Sequence, residues 1–152
     1  QSLTAIASYI CEYELQTIEV TKSYNFDAWR TDMKRIIQAA GVDGKYNVFM
    51  INDSQIKGNY ILEDINNLLN SGDIPNLFSQ DEFIPFMDKL RLQAKKDGRE
   101  ALVHSGSVSQ YYDFFIENVQ KHLHCVLVLS SIGDSLRTRI RMFPSLINCC
   151  TC

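Results

Sequence analysis

The apolar residues Val48, Phe49, Met50 and Ile51 stop abruptly at Asn52 and Asp53, and this junction constrains the fold more than any other stretch of the chain. A run this short, without polar alternation, reads as a strand buried on both faces of a sheet. Asn52 and Asp53 then fall at its C-terminal edge, where open α/β sheets bind their ligands. The residues that follow sharpen the reading. ILEDINNLL at 61–69 repeats its apolar residues at helical spacing, NSGD at 70–73 stops the helix with turn formers, and IPNLF at 74–78 runs extended. A strand ending in one acid is also what a strand followed by an ordinary polar loop would show.

The rest of the chain alternates in the same manner. Residues 2–13 are helical in pattern and 15–20 form a strand. Residues 26–40 form a helix that Asn25 caps and Gly41 closes, with Ala28, Trp29, Ile36, Ile37 and Ala40 on its buried side. A more polar helical stretch covers 80–96, and 98–107 is a loop, because it mixes glycine, serine and charge without periodicity. Residues 108–122 read as a helix, 125–129 as a strand, 134–142 as a short helix and 146–150 as a final strand. Such alternation predicts an α/β domain with a mainly parallel sheet flanked by helices. There is no repeat, linker or low-complexity tract.

At 152 residues, with 45% hydrophobic and 22% charged residues, the chain can bury one core and forms one domain at most. A net charge of −3 gives no surface made for nucleic acid or anionic lipid. No apolar run approaches the roughly 18 to 20 residues of a membrane span, and no signal peptide opens the sequence. A soluble, intracellular protein is expected, with no nucleic acid and no membrane among its partners. The cysteines Cys11, Cys125, Cys149, Cys150 and Cys152 are odd in number and spaced unlike a zinc site, with His122 and His124 remote from most of them. They are expected to be reduced and structural, Cys125 as a small hydrophobe within a strand. His124 is expected to pack at the start of that strand.

The string KYNVFMINDSQIKGNYILEDINNLLNSGDIPNLF at 45–78 resembles the segment that follows the Walker B strand in the fourth AAA+ module of dynein heavy chains, and its details are similar to the axonemal, ciliary branch. NVQKHLHCVLVL at 118–129 is similar to the strand leading to the sensor 1 position, and FPSLINCCT at 143–151 to the last strand of that module. The similarity runs through nearly the whole chain in one register. It implies a P-loop NTPase fold of the AAA+ type, with 1–152 a single partial module that begins inside its P-loop and lacks the first strand. That strand would lie between the one ending at Leu129 and the one ending near Cys150. The resemblance further implies ATP or ADP with Mg2+ as ligands and neighbouring AAA+ modules as partners. Dynein intermediate and light chains and microtubules would be contacted through other parts of the motor. The implied location is the cytoplasm and cytoskeleton, at the axoneme of a cilium or flagellum.

The resemblance also distributes roles among residues. In P-loop ATPases a carboxylate after the Walker B strand holds the magnesium that bridges the phosphates, and a second can orient the attacking water. Asp53 takes the metal position, with Asn52 beside it. Gln1 stands where the usual motif has the magnesium-coordinating Ser or Thr, with Ser2 next to it, and Ser130 falls on sensor 1. The cytoplasmic dynein pattern has Asp at the place of Asn52, Glu at that of Asp53 and Asn at that of Ser130. Cys149 replaces an arginine that would reach the nucleotide of the adjoining module. Arg137, Arg139 and Arg141 lie close by, and since alternate residues of a helix cannot all point at one phosphate, Arg141 is selected as the arginine finger. Loss of several positioned groups costs orders of magnitude in phosphoryl transfer. The resemblance therefore implies a degenerate, structural and regulatory module of a minus-end-directed microtubule motor, with slow or absent hydrolysis. The alternatives are a working ATPase module in which Asp53 serves both metal and water, and a nucleotide-free α/β interaction domain.

Overall fold

The computed structural model describes residues 2–130 and 134–148. Helix α1 (Ser2–Ile10) leads through Glu12, at φ 59°, into strand β1 (Glu14–Gln16). This strand ends before the expected 15–20. Ile18 turns into the core at 4% exposure, and its carbonyl accepts a hydrogen bond from the Gln55 side chain instead of a strand ladder. Helix α2 (Phe26–Gly41) starts where Asn25 accepts from the Ala28 amide at 2.9 Å. It buries Trp29, Met33, Ile36, Ile37 and Ala40, one stripe at helical spacing. Strand β2 (Asn47–Asn52) follows, then a 3-10 turn, Asp53–Gln55, and helix α3 (Asn59–Ser71), which Gly72 closes in the left-handed conformation at φ 74°.

The helical stretch expected over 80–96 is built from α4 (Gln80–Phe83), a 3-10 turn (Ile84–Phe86) and α5 (Met87–Lys96). Pro85 in the middle of the 3-10 turn explains the break, since proline removes a helical donor. The loop expected over 98–107 contains helix α6 (Glu100–Ser105). Its apolar residues, Leu102 and Val103, are too few for periodicity, and packing against the core supplies what the local sequence does not. Tyr111 donates its hydroxyl to the Leu102 carbonyl at 2.9 Å from helix α7 (Val108–His122). Strand β3 (Leu123–Val128), helix α8 (Asp134–Met142) and helix α9 (Ser145–Asn148) complete the described chain.

The final strand expected over 146–150 is corrected by α9. The Asn148 amide bonds to the Pro144 carbonyl at 3.0 Å, so this turn satisfies its own backbone, whereas a strand here would need a neighbour to pair with. Leu146 is buried, α9 lies against α3, and Ser145 donates to Asn70 Oδ1 at 2.6 Å. Cys149 and Cys150, the end of the expected strand, lie outside the described residues.

Among the described residues the sheet has the order β1-β2-β3, and both pairings are parallel. Phe49 and Ile51 sit in register with Cys125 and Leu127, and this face enters the main core with Trp29, Ile61, Ile65 and Phe115. The opposite face is thinner. Val48, His124 and Val126 look across a cavity of about 480 Å3 at Leu3, Thr4, Ala7, Ser8 and Cys11 of the α1 segment. Met50 is only half-buried. The expectation of a strand buried on both faces is thus met fully on one of them and, through buried Val48, in part on the other. His124, expected to pack, is exposed and stacks on Tyr13 with ring centroids 5.6 Å apart. Two contacts lock α2 onto its neighbours. Trp29 Nε1 and Arg30 donate to buried Asp64 of α3 at 2.8 and 3.1 Å. Gly41, expected to close α2, is instead its last residue and lies buried against α7, where an added Cβ would stand 2.4 Å from the Phe115 ring. Among the described residues no helix is long and apolar enough to cross a membrane.

Candidate functional site

Parallel pairing carries the C-terminal ends of β2 and β3 to one edge, where Asn52 and Val128 are the last matched pair. The chain leaves β2 through an extended Asn52, φ −111° and ψ 167°, into the 3-10 turn that starts with Asp53. Gln55 fixes this exit. Its Oε1 accepts from the Asn52 amide at 2.9 Å, and its Nε2 donates to the Ile18 carbonyl at 2.7 Å, joining the end of β2 to the chain beyond β1. The Asn52 side chain is used locally, accepting from Ser54 Oγ at 2.5 Å.

Asp53 is thereby held at the edge with its carboxylate toward the segment that follows β3. The Ser130 amide donates to Asp53 Oδ2 at 3.3 Å, and Arg139 of α8 forms an ion pair and hydrogen bond with Asp53 Oδ1. Both side chains of this pair are partly shielded, 31% exposed for Asp53 and 23% for Arg139. The arrangement neutralises the acid that the sequence places at the switch point of the sheet, and it tethers α8 to the end of β2. Of the arginines on α8, Arg137 and Arg141 are exposed, and Arg139 is the one turned inward. Ser130 is exposed, and Ser2 is exposed at the first residue of α1. Gln1 lies outside the described residues.

The fit of a magnesium ion can be judged from this geometry. Among the described residues no grouping of three or more His, Cys, Asp and Glu side chains could hold a metal. That does not decide the matter, because a nucleotide-bound magnesium needs only one or two carboxylates beside phosphates and water. The contacts of Asp53 do decide it. A cation already occupies Oδ1, and a second cation on the same carboxylate would stand about 4 Å from the guanidinium. Near a protein surface that repulsion is about 4 kcal/mol for two unit charges and twice that for a divalent ion. As arranged, the carboxylate does not fit the metal.

Sequence reasoning missed Gln55, and it named Arg139 only beside Arg137 and Arg141 as a possible finger, choosing Arg141, without placing it on Asp53. The first had a signal, since Asn52 and Gln55 stand at the three-residue spacing of a capping box. The second had none, since Arg139 is 86 residues from Asp53 and is flanked by equivalent arginines.

The chain matches the family described as P-loop containing dynein motor region D4 over residues 1–152. It is 43% identical over 151 residues to dynein axonemal heavy chain 6 of Homo sapiens, covering 99% of this chain and 4% of that protein. It is 45% identical over 151 residues to dynein axonemal heavy chain 3 of Mus musculus, with the same coverage. The dynein-1-beta heavy chain of the flagellar inner arm I1 complex of Chlamydomonas reinhardtii is 41% identical over 151 residues, 99% of this chain and 3% of that one. The chain thus spans 3% to 4% of the length of these curated relatives. A P-loop motor region is a nucleotide-binding unit, which agrees with a parallel sheet that presents an acid at its C-terminal edge. With its whole length matched, the chain belongs to the dynein heavy chain family, as a stretch of the P-loop containing motor region.

Proposed function

We propose that this chain is a single partial AAA+ module, the fourth of the ring, of an axonemal dynein heavy chain, and that it holds ATP or ADP while turning it over slowly or not at all. The observation that carries this reading is the state of the sheet edge. Asp53 is neutralised by Arg139, and its neighbour Asn52 brings no charge and is engaged with Ser54. Phosphoryl transfer draws its rate from positioned charge and an oriented nucleophile, and this edge offers neither an acidic pair nor an uncommitted carboxylate. A module of this kind serves a minus-end-directed microtubule motor as a structural and regulatory element, with bulk hydrolysis done by other modules.

In this reading Gln1 and Ser2 are the residues assigned to the phosphates, Ser130 takes the sensor role, and Arg141, exposed on α8, is assigned to the nucleotide of a neighbouring module. Mg2+ at Asp53, which the family resemblance implies, is left out of this reading, because Arg139 already holds that carboxylate. The partners are the adjoining AAA+ modules of the same heavy chain, with intermediate chains, light chains and microtubules bound elsewhere on the motor. The location is the cytoplasmic cytoskeleton, at the axoneme of a cilium or flagellum. The test is turnover at this site in the intact motor, with the acidic residues of the other modules disabled. Asn52→Asp combined with Asp53→Glu and Gln1→Thr should raise hydrolysis. A wild-type module that already runs at roughly 1 to 100 per second, the range of kinases, would overturn the proposal.

A further inference from the structure

Helix α5 carries two stripes. Leu90 and Ala94 enter the core, while Lys89, Leu92, Gln93 and Lys96 recur at the spacing of a second helical face, turned to the loop that joins α2 to β2. Between this face and Val42, Asp43 and Lys45 of the loop lies an open groove of about 500 Å3. It sits at the end of the sheet opposite Asp53. Lys45 comes two residues before β2 and Asp53 directly after it, with roughly 20 Å of strand between them. The groove is therefore independent of the nucleotide reading.

Its floor is fixed before anything binds. Gln93 donates to the Val42 carbonyl and accepts from Asn118 Nδ2 at 2.9 Å, and Asn118 also donates to the Gly41 carbonyl at 3.2 Å. Above that floor Leu92 stands 63% exposed, with Lys45, Lys89 and Lys96 around it and Asp43 as the one acid of the lining, on a chain whose net charge is −3. Lys89 meets Asp43 at 3.4 Å and Lys45 meets Glu14 at 3.8 Å, and exposed pairs of this kind hold weakly enough to yield to a better partner. Lys96 is in no ion pair among the described residues. A lone exposed leucine is ordinary. A leucine ringed by lysines over a fixed floor has the form of an interface, an apolar centre with a charged rim.

We propose that this groove docks an acidic protein segment carrying an apolar side chain, which covers Leu92 while the acids meet Lys45, Lys89 and Lys96. Charge complementarity selects an acidic partner. Leu92 selects against a plain anion such as phosphate, which would leave the leucine in water.

The test is carbodiimide cross-linking of the motor in its assembled state, read by mass spectrometry, because this reagent joins amines to carboxylates in direct contact. Lys89 and Lys96 should be joined to Asp or Glu of one segment outside residues 1–152. Sodium chloride at about 0.5 M, which shrinks the Debye length to a few ångströms, should reduce the yield severalfold. Lys95, exposed on the same helix but outside the groove, is the internal control and should give few such links. Leu92→Ser, which removes the apolar centre without adding charge, should lose most of the links, and Leu92→Met should keep them. Links from Lys95 as abundant as those from Lys96, links scattered over many acids, or none beyond residues 1–152 would overturn the proposal. Unchanged links in Leu92→Ser would overturn it too, by showing a contact of charge alone. Links to residues 1–152 of another copy, read from motors mixed with isotopically labelled ones, would make the occupant a second copy and refute the acidic partner.

Discussion

Gln55 makes two bonds at the sheet edge, one to each strand exit. Its side chain is half-buried, so removing it leaves the Ile18 carbonyl and the Asn52 amide without those partners. Each such loss costs about 1 to 3 kcal/mol. Gln55→Ala in the intact motor should therefore speed hydrogen exchange across the 3-10 turn and β1 by at least tenfold. Gln55→Glu keeps the acceptor for Asn52 but loses the donor to Ile18, and should fall between the two. Unchanged exchange in Gln55→Ala would show that the turn is held by its backbone instead. Asp64 offers a second residue-level test, one that depends on pH. Burial raises its carboxyl above the ordinary 3.8, against the opposing pull of the Trp29 hydrogen bond and of Arg30. A carboxyl whose proton is held more tightly in the folded chain than in the unfolded one favours the fold fully below the unfolded value. It loses that contribution as pH rises through the folded one. The region where α2 meets α3 should thus lose protection between about pH 4 and the raised value, and Asp64→Asn should remove that slope. Asp64→Ala would instead strand Trp29 Nε1 and Arg30 beside a site only 5% exposed, at a cost of about 3 to 5 kcal/mol.

The contact of α2 with α7 is close because Gly41 has no side chain. Its Cβ, if present, would stand 2.8 Å from Val119 Cγ2 as well as against the Phe115 ring, and both neighbours are themselves buried. Gly41→Ala should therefore force the helices apart and cost about 1 to 3 kcal/mol, in spite of alanine's better helix propensity. Faster exchange of α2 and α7 amides in the intact motor would register it, and a variant as protected as the wild type would show that Phe115 can turn away. Gly41 also illustrates what was legible in the sequence. A glycine after an apolar stripe reads locally as a helix stop, and only the tertiary approach of α7 shows that it is a packing position. The elements with strong local signals, α2 with its Asn25 cap and α3 with Gly72, stand where pattern and capping put them. The elements that depend on neighbours did not. α6 and α9 are short helices whose few apolar residues become informative only once the core exists. The position of Asp53 at the edge followed from the apolar run before it, whereas its partners, 77 and 86 residues away, come from the topology of the sheet.

At the scale of the whole molecule, β3 is the element that most needs something beyond what is described. Among the described residues it pairs only with β2, and from Cys125 to Val128 its residues are half-buried rather than buried. The helix that flanks the same side, α1, exposes Leu3 at 83% and Tyr9 at 86%. A half-covered apolar strand at the side of a sheet is a template for pairing with a further strand. An additional strand supplied by the surrounding heavy chain would occupy that edge, pair with β3 and press α1 onto the Val48, His124 and Val126 face. We therefore expect residues 1–152, produced in isolation, to associate or to unfold without a sharp transition. Extending them with flanking residues of the same heavy chain should yield a monomer with a cooperative melt. Backbone groups left unpaired in the core cost about 1 to 3 kcal/mol each, so a few of them match the 5 to 15 kcal/mol of a typical domain. Sedimentation and thermal melting of the two lengths make the comparison direct. If the 152-residue piece is monomeric and melts cooperatively, β3 is a true edge, and the strand expected between β3 and the chain near Cys150 has no place in this sheet.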